Sequence, residues 1–275
     1  MPQRMERQRE PVNLENLQSY WQRVAQVDDQ AHQAMQSWHS MNFTARFFDE
    51  SQPAGHRTHI GVSRMLNIAI DNQEAFQSLI TTRGVTHWSQ WSLLRSVFEA
   101  SFYALWTLDP TEGRERRKRG LRQEVLDARA QRAWIKSLAE LGLDRDAVTA
   151  LEERDAKATR VYSQEAQKLG LDWGLANQRV DIVSELPKLS YTRDRISDDI
   201  NKAFVSVWRR LSGLQHGLSY ALLAGVDKGR SIPIPGGESV FMTTNDQGLV
   251  NTCKLVSALH VSALELAIQR NSSPA

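Results

Sequence analysis

The sequence predicts an all-α fold, a helical bundle of about seven helices, and three observations carry that expectation. Apolar residues recur three and four apart along most of the chain, as in Leu14, Leu17, Tyr20, Trp21, Val24 and Val27, which is the spacing of a helix with one buried side. No convincing run of strand-like alternation occurs. With 41% hydrophobic and 24% charged residues, a chain of 275 residues can bury one substantial core under a charged exterior.

Residues 1–12 are polar, carry Pro2 and Pro11, and read as a flexible N-terminal tail; 13–270 reads as a single helical domain. Asn13 is placed to cap a first helix that runs past Trp38. The segment Ser51–His59, SQPAGHRTH, breaks it and holds the closely spaced pair His56 and His59, with nothing nearby to complete a metal-ligand set, so an exposed loop and no metal are expected. A second helix, Ile60–Ile80, stops near Arg83-Gly84. The third, Thr86–Leu108, is nearly apolar yet contains Arg95 and Glu99, which meet on one helical face. Charges on such a helix must be paired or used, so the two either form a buried ion pair or line a polar site.

Asp109-Pro110 ends that helix. Glu112–Arg122 then concentrates Arg114, Arg116, Arg117, Lys118, Arg119 and Arg122, either as a phosphate-binding surface or as a solvated face, on a helix that continues to Leu141. Asp144–Leu169 mixes charge signs like an outer helix or half of a helical hairpin. Residues 170–193, with two glycines and Pro187, suggest an irregular connection or a lid. After the next helix, 227–246 carries two prolines and Gly236-Gly237, the mark of a loop or short hairpin. A closing helix over 247–269 places Leu249, Cys253, Val256, His260 and Leu264 at helical spacing, with His260 expected as a hydrogen-bonded core residue.

Several classes are excluded by what is missing. A formal charge of +2 is too mild to identify a nucleic-acid partner by itself. No apolar run is long enough for a membrane span and the N-terminus is too polar for a signal peptide, so a cytoplasmic protein with no membrane partner is expected. Cys253, the only cysteine, rules out an internal disulfide or a cysteine-based zinc site. Dinucleotide, nucleoside-triphosphate, zinc-peptidase and α/β-hydrolase motifs are all lacking, and no cofactor is expected.

The stretch Ala203–Val226, AFVSVWRRLSGLQHGLSYALLAGV, organises the rest. As one long helix it has an apolar stripe of Phe204, Val207, Leu211, Leu214, Leu218 and Leu222. Arg209, Ser212, His216 and Ser219 fall on another side, and Gly213 and Gly217 on a third, where another backbone can approach closely. Two turns, about 10 Å, separate Arg209 from His216, nearly eclipsed, while Arg210 points some 120° away.

Within it, Trp208–His216, WRRLSGLQH, sets an arginine four to six residues before a histidine, late in a helical bundle. This resembles the signature of the HEPN superfamily of nucleotide-binding and ribonuclease domains; Arg210, with five intervening residues, and Arg209, with six, both satisfy the spacing. The R-S-V-F-E helix from Arg95 to Glu99, ahead of the later arginine, serine, glycine and histidine, is similar to bacterial helical proteins related to HEPN domains. The resemblance covers a core of approximately residues 60–226. It implies a protein acting on RNA, a metal-independent endoribonuclease of a toxin or phage-defence system, working as a homodimer whose subunits face each other across the motif.

In that chemistry His216 accepts the 2′-hydroxyl proton, Arg209 stabilises the phosphorane-like charge and Ser212 orients the two. Arg210, Arg95, Glu99, Arg116, Arg117 and Arg119 are the candidate substrate-binding residues for RNA or a nucleotide. The alternative is a non-catalytic helical module that binds a nucleotide or ligand or another protein, with Arg209 bridged to a neighbour and His216 hydrogen-bonded near a helix bend.

Overall fold

A computed structural model describes residues 15–37, 42–86, 88–142, 145–223, 226–242 and 246–272. Among them are twelve α-helices, not seven: α1 (Glu15–Ser37), α2 (Ala45–Glu50), α3 (Gly55–Arg83), α4 (Ser89–Leu108), α5 (Gly113–Glu140), α6 (Arg145–Leu169), α7 (Trp173–Ala176), α8 (Ile182–Glu185), α9 (Ser190–Arg195), α10 (Ile200–Gln215), α11 (Ser219–Leu223) and α12 (Asp246–Ser272). The surplus comes from short helices, while every long helix corresponds to an expected one. The expected N-terminal tail, 1–12, lies outside the described residues.

The main core forms where α4 is enclosed by α3, α10 and α12, with α1 laid along α12. Near-continuous apolarity in α4 has this cause: Phe98, Phe102, Leu105, Trp106 and Leu108 are buried on several sides of one helix. Phe98 stacks on Trp208 of α10 at 5.8 Å and meets Phe204 edge-on at 6.3 Å, which fixes how α10 lies on α4. A smaller apolar cluster, built around Leu121, Val125, Ala166 and Leu169, joins α5 to α6 as a helical hairpin.

Residues 170–193 form no free lid. Short helices α7 and α8 and a single 3-10 turn, Leu186–Lys188, are pinned by buried Leu171, Ala176, Val180, Ile182, Leu186 and Leu189. Asp109 secures the following segment, its carboxylate accepting from the backbone N–H groups of Ser190 and Tyr191 and from the Ser190 hydroxyl. The proline- and glycine-rich stretch is an antiparallel hairpin, β1 (Val226–Ile234) with β2 (Gly237–Met242). It turns at Pro235-Gly236, where Gly236 supplies the positive φ, 88°, that a Pro-Gly turn requires.

His56 and His59 occupy the first turns of α3 and not a loop; His56 is exposed, whereas His59 is buried. His260 is in the core as expected, but neither ring nitrogen finds a hydrogen-bond partner among the described residues, and burial pushes its pKa down to about 4. No described helix is long and apolar enough to cross a membrane.

Candidate functional site

Helix α10 buries Phe204, Val207, Leu211 and Leu214 against the core, as its apolar stripe requires. It does not run on to Val226. The Leu218 N–H donates to the Gly213 carbonyl at 2.8 Å and the Gly217 N–H to the Leu214 carbonyl at 3.2 Å, with Gly217 at φ 65°. This paired closure around a left-handed glycine ends a helix by satisfying its last carbonyls, and His216 is the C-cap residue. Leu218, expected on the buried stripe, is 46% exposed beyond the stop.

The chain then folds back as α11. The Tyr220 hydroxyl donates to the Arg209 carbonyl at 2.7 Å, so the phenol ring crosses Gly213. A Cβ on Gly213 would lie 2.6 Å from the Tyr220 oxygen and 2.7 Å from the Ala221 Cβ. The close approach expected over the two glycines is therefore made at Gly213 by this chain's own α11, while Gly217 serves as a helix stop.

Arg209 and His216 are both exposed and Ser212 is half-buried between them. Among the described residues neither the Arg209 guanidinium nor the His216 imidazole makes a side-chain hydrogen bond or ion pair. Seven residues apart, they share one side of α10, two turns or about 10 Å along its axis. Tyr220, 58% exposed, lies across Gly213 in the interval between them. Lys202, a further seven residues back on the same side, is exposed and paired with Asp199 at 2.7 Å. The result is an open face offering a permanent cation, an imidazole and an aromatic ring.

The other expected site residues are not on this face. Arg210 lies over the Trp91 ring of α4 at 5.1 Å and donates to the Gly248 carbonyl of α12, and burial lowers its pKa. Arg95 of α4 lies over Trp208 of α10 at 5.2 Å, with Glu99 3.9 Å away. Each helix thus sends an arginine onto a tryptophan of the other, a reciprocal pair of cation–π contacts that braces the α4–α10 seam. Arg95 and Glu99 are both half-buried, where one of their two expected readings was a buried ion pair.

The basic cluster of α5 is directed largely inward. Arg116 is only 3% exposed and donates to Asp49 and to the carbonyls of Pro110 and Thr111. Arg117 bonds the carbonyls of Gly113 and Pro53; Arg119 bonds the Trp106 carbonyl and lies over its ring at 5.0 Å. Arg114 takes the Leu169 carbonyl at the end of α6. These guanidinium groups satisfy carbonyls at chain reversals and helix ends, so Arg116, Arg117 and Arg119 do not form the phosphate-binding surface that their spacing suggests.

Two arrangements were missed in the sequence. Tyr220 belongs to the α10 face, and the Gly217-Leu218 pair was the available signal, since a glycine followed by an apolar residue after a helical run commonly marks a helix end. Asp49 and His59, ten residues apart on either side of a break, form a buried pair at 3.2 Å that no local spacing reveals. Among the described residues no group of three or more His, Cys, Asp or Glu side chains is arranged to hold a metal ion. Comparison with known proteins finds no matching family model, no similar curated protein and no similar solved structure.

Proposed function

We propose that the α10 face binds single-stranded RNA and cleaves it without a metal. Support comes chiefly from one observation: Arg209 and His216 stand exposed and unpartnered among the described residues on one side of the helix, with the Tyr220 ring over Gly213 on the flank of that side. Arg209 contacts the scissile phosphate as a fixed cation with a planar donor fork. His216 takes the proton of the 2′-hydroxyl, the 2′ oxygen bonds to phosphorus, the bond from phosphorus to the 5′ oxygen breaks, and the departing oxygen is protonated by solvent. The products are a 2′,3′-cyclic phosphate and a 5′-hydroxyl. Ser212 lies between the two groups as an orienting hydroxyl, and the exposed Tyr220 ring provides a surface on which an unpaired base stacks.

The test is incubation of the full chain with single-stranded RNA in EDTA, wild type beside His216→Ala and Arg209→Ala, with product ends analysed. Cyclic-phosphate ends lost in both variants support the proposal. RNA binding without cleavage in the wild type would replace it with the non-catalytic reading, and failure to bind at low salt would remove RNA altogether.

A further inference from the structure

A second constructed site lies on another part of the molecule, where α2, α3 and α5 meet. The Asp49 carboxylate, 2% exposed, accepts from the Arg116 Nε at 2.8 Å and from the His59 Nε2 at 3.2 Å. An ionised carboxylate only accepts, so Nε2 carries the ring proton and Nδ1 of the neutral imidazole is left as an acceptor. Nδ1 makes no hydrogen bond among the described residues, although His59 is only 3% exposed.

The surroundings are shaped around this pair. A Cβ on Gly113 would fall 2.4 Å from the Asp49 Oδ1, and one on Gly55 would fall 1.7 Å from the Asp49 carbonyl oxygen. Phe43 and Ala54, at φ 71° and 63°, are the two non-glycine residues with positive φ among those described, and they bracket α2 on either side. Strain of this kind persists where the surrounding structure holds it in place, often at a site of use.

His59 borders an open groove of about 600 Å³ that runs along the outer stripe of α3 to Asp71. Twelve residues of helix separate the two, about 18 Å. Ile60, Ile68 and Met35 give the groove apolar walls. Its arginines are already occupied: Arg64 is held by Glu124 at 3.1 Å and Asp127 at 3.4 Å, and Arg46 by Glu50 at 3.0 Å. Asp71 has no ion pair among the described residues. Asp71 is the carboxylate among the lining residues at that end of the groove. An acceptor at one end, a free carboxylate 18 Å or so away and methylene-compatible walls between them describe a long, apolar-backed cation.

We propose that this groove binds a linear aliphatic polyamine, one amine donating to His59 Nδ1, the methylenes lying on Ile60, Ile68 and Met35, and a distal ammonium meeting Asp71. The proposal is independent of the RNA reading.

Spermine is the probe, added to the full chain in calorimetry and in parallel ¹⁵N spectra of the imidazoles, with 1,4-diaminobutane and Mg²⁺ as short and non-hydrocarbon cations. Saturable spermine binding is expected, at least tenfold weaker for diaminobutane and for exposed-site variant Asp71→Asn, with the His59 ring resonances shifting on binding. The His59→Gln variant should weaken binding too; if it does not fold, the His59 resonances of the wild-type chain decide the point. Equal binding by Asp71→Asn, displacement by equimolar Mg²⁺, unmoved His59 resonances or no saturable heat would each overturn the proposal.

Discussion

The Tyr220 hydroxyl and the Arg209 carbonyl oxygen, eleven residues apart, are joined by a hydrogen bond of 2.7 Å. That bond places an aromatic ring on the same stretch of α10 as an exposed arginine, and it exists because the chain reverses at Gly217. A continuous helix would have carried Tyr220 eleven residues, about 16 Å, along the axis from Arg209. The helix stop therefore creates the composition of the proposed site, and loss of the stop should be felt both in stability and in RNA binding.

Gly217→Ala tests the reversal. No heavy atom lies within 4 Å of a Cβ built there, so its cost is the left-handed backbone alone. A loss of about 1–2 kcal/mol is expected in urea denaturation, with Gly217→Asn costing less because asparagine tolerates this conformation. No loss for alanine would show that the turn is not held at positive φ.

Asp49→Asn tests the buried ion pair beneath α2. Arg116 keeps its charge in the interior but loses the carboxylate, and breaking a buried pair from one side costs about 3–5 kcal/mol. Glu115→Gln on the same helix removes only the Lys118 surface contact and should stay within about 0.5 kcal/mol. Equal effects of the two substitutions would mean that Arg116 is not buried as described.

His260 makes stability depend on pH. Its folded pKa, about 4, lies below the ordinary 6.5 because the ring is buried, so below pH 6.5 the unfolded chain takes up a proton that the folded chain refuses. Stability should therefore fall as pH drops from about 6.5 to about 4, by about 3 kcal/mol in all at roughly 1.4 kcal/mol per pH unit, and then level off for this group. His59, also held neutral by burial, acts with the same sign. Denaturant unfolding at several pH values should show the His260 share of the slope vanish in His260→Leu, and an unchanged slope would contradict the burial.

The long helices were legible because each carries its own evidence: a period of three to four in α1, α3 and α10, a near-continuous apolar run in α4, and Gly84 and Pro110 as stops. The short helices were not, because α2, α8 and α9 are held by distant partners such as Asp109 with Ser190 and Tyr191. The inward-facing arginines were hidden for the same reason. Spacing shows that Arg116 and Arg119 are on a helix, but only packing decides whether they meet solvent, Asp49 or the back of Trp106. Spacing puts Arg209 and His216 on one side of a helix but says nothing of where Tyr220 lies, and the reciprocal Arg95–Trp208 and Arg210–Trp91 contacts needed the two helices side by side.

The central claim is that the imidazole at the end of α10 meets RNA. Its most direct measurement is the imidazole spectrum of the full chain, with its seven histidines, during titration with a single-stranded oligonucleotide made uncleavable by 2′-deoxy substitution. The account predicts that the His216 resonances shift progressively and saturably, that buried His59 and His260 stay in place, and that Arg209→Ala weakens the response at least tenfold. Saturating oligonucleotide that leaves His216 unmoved would contradict it.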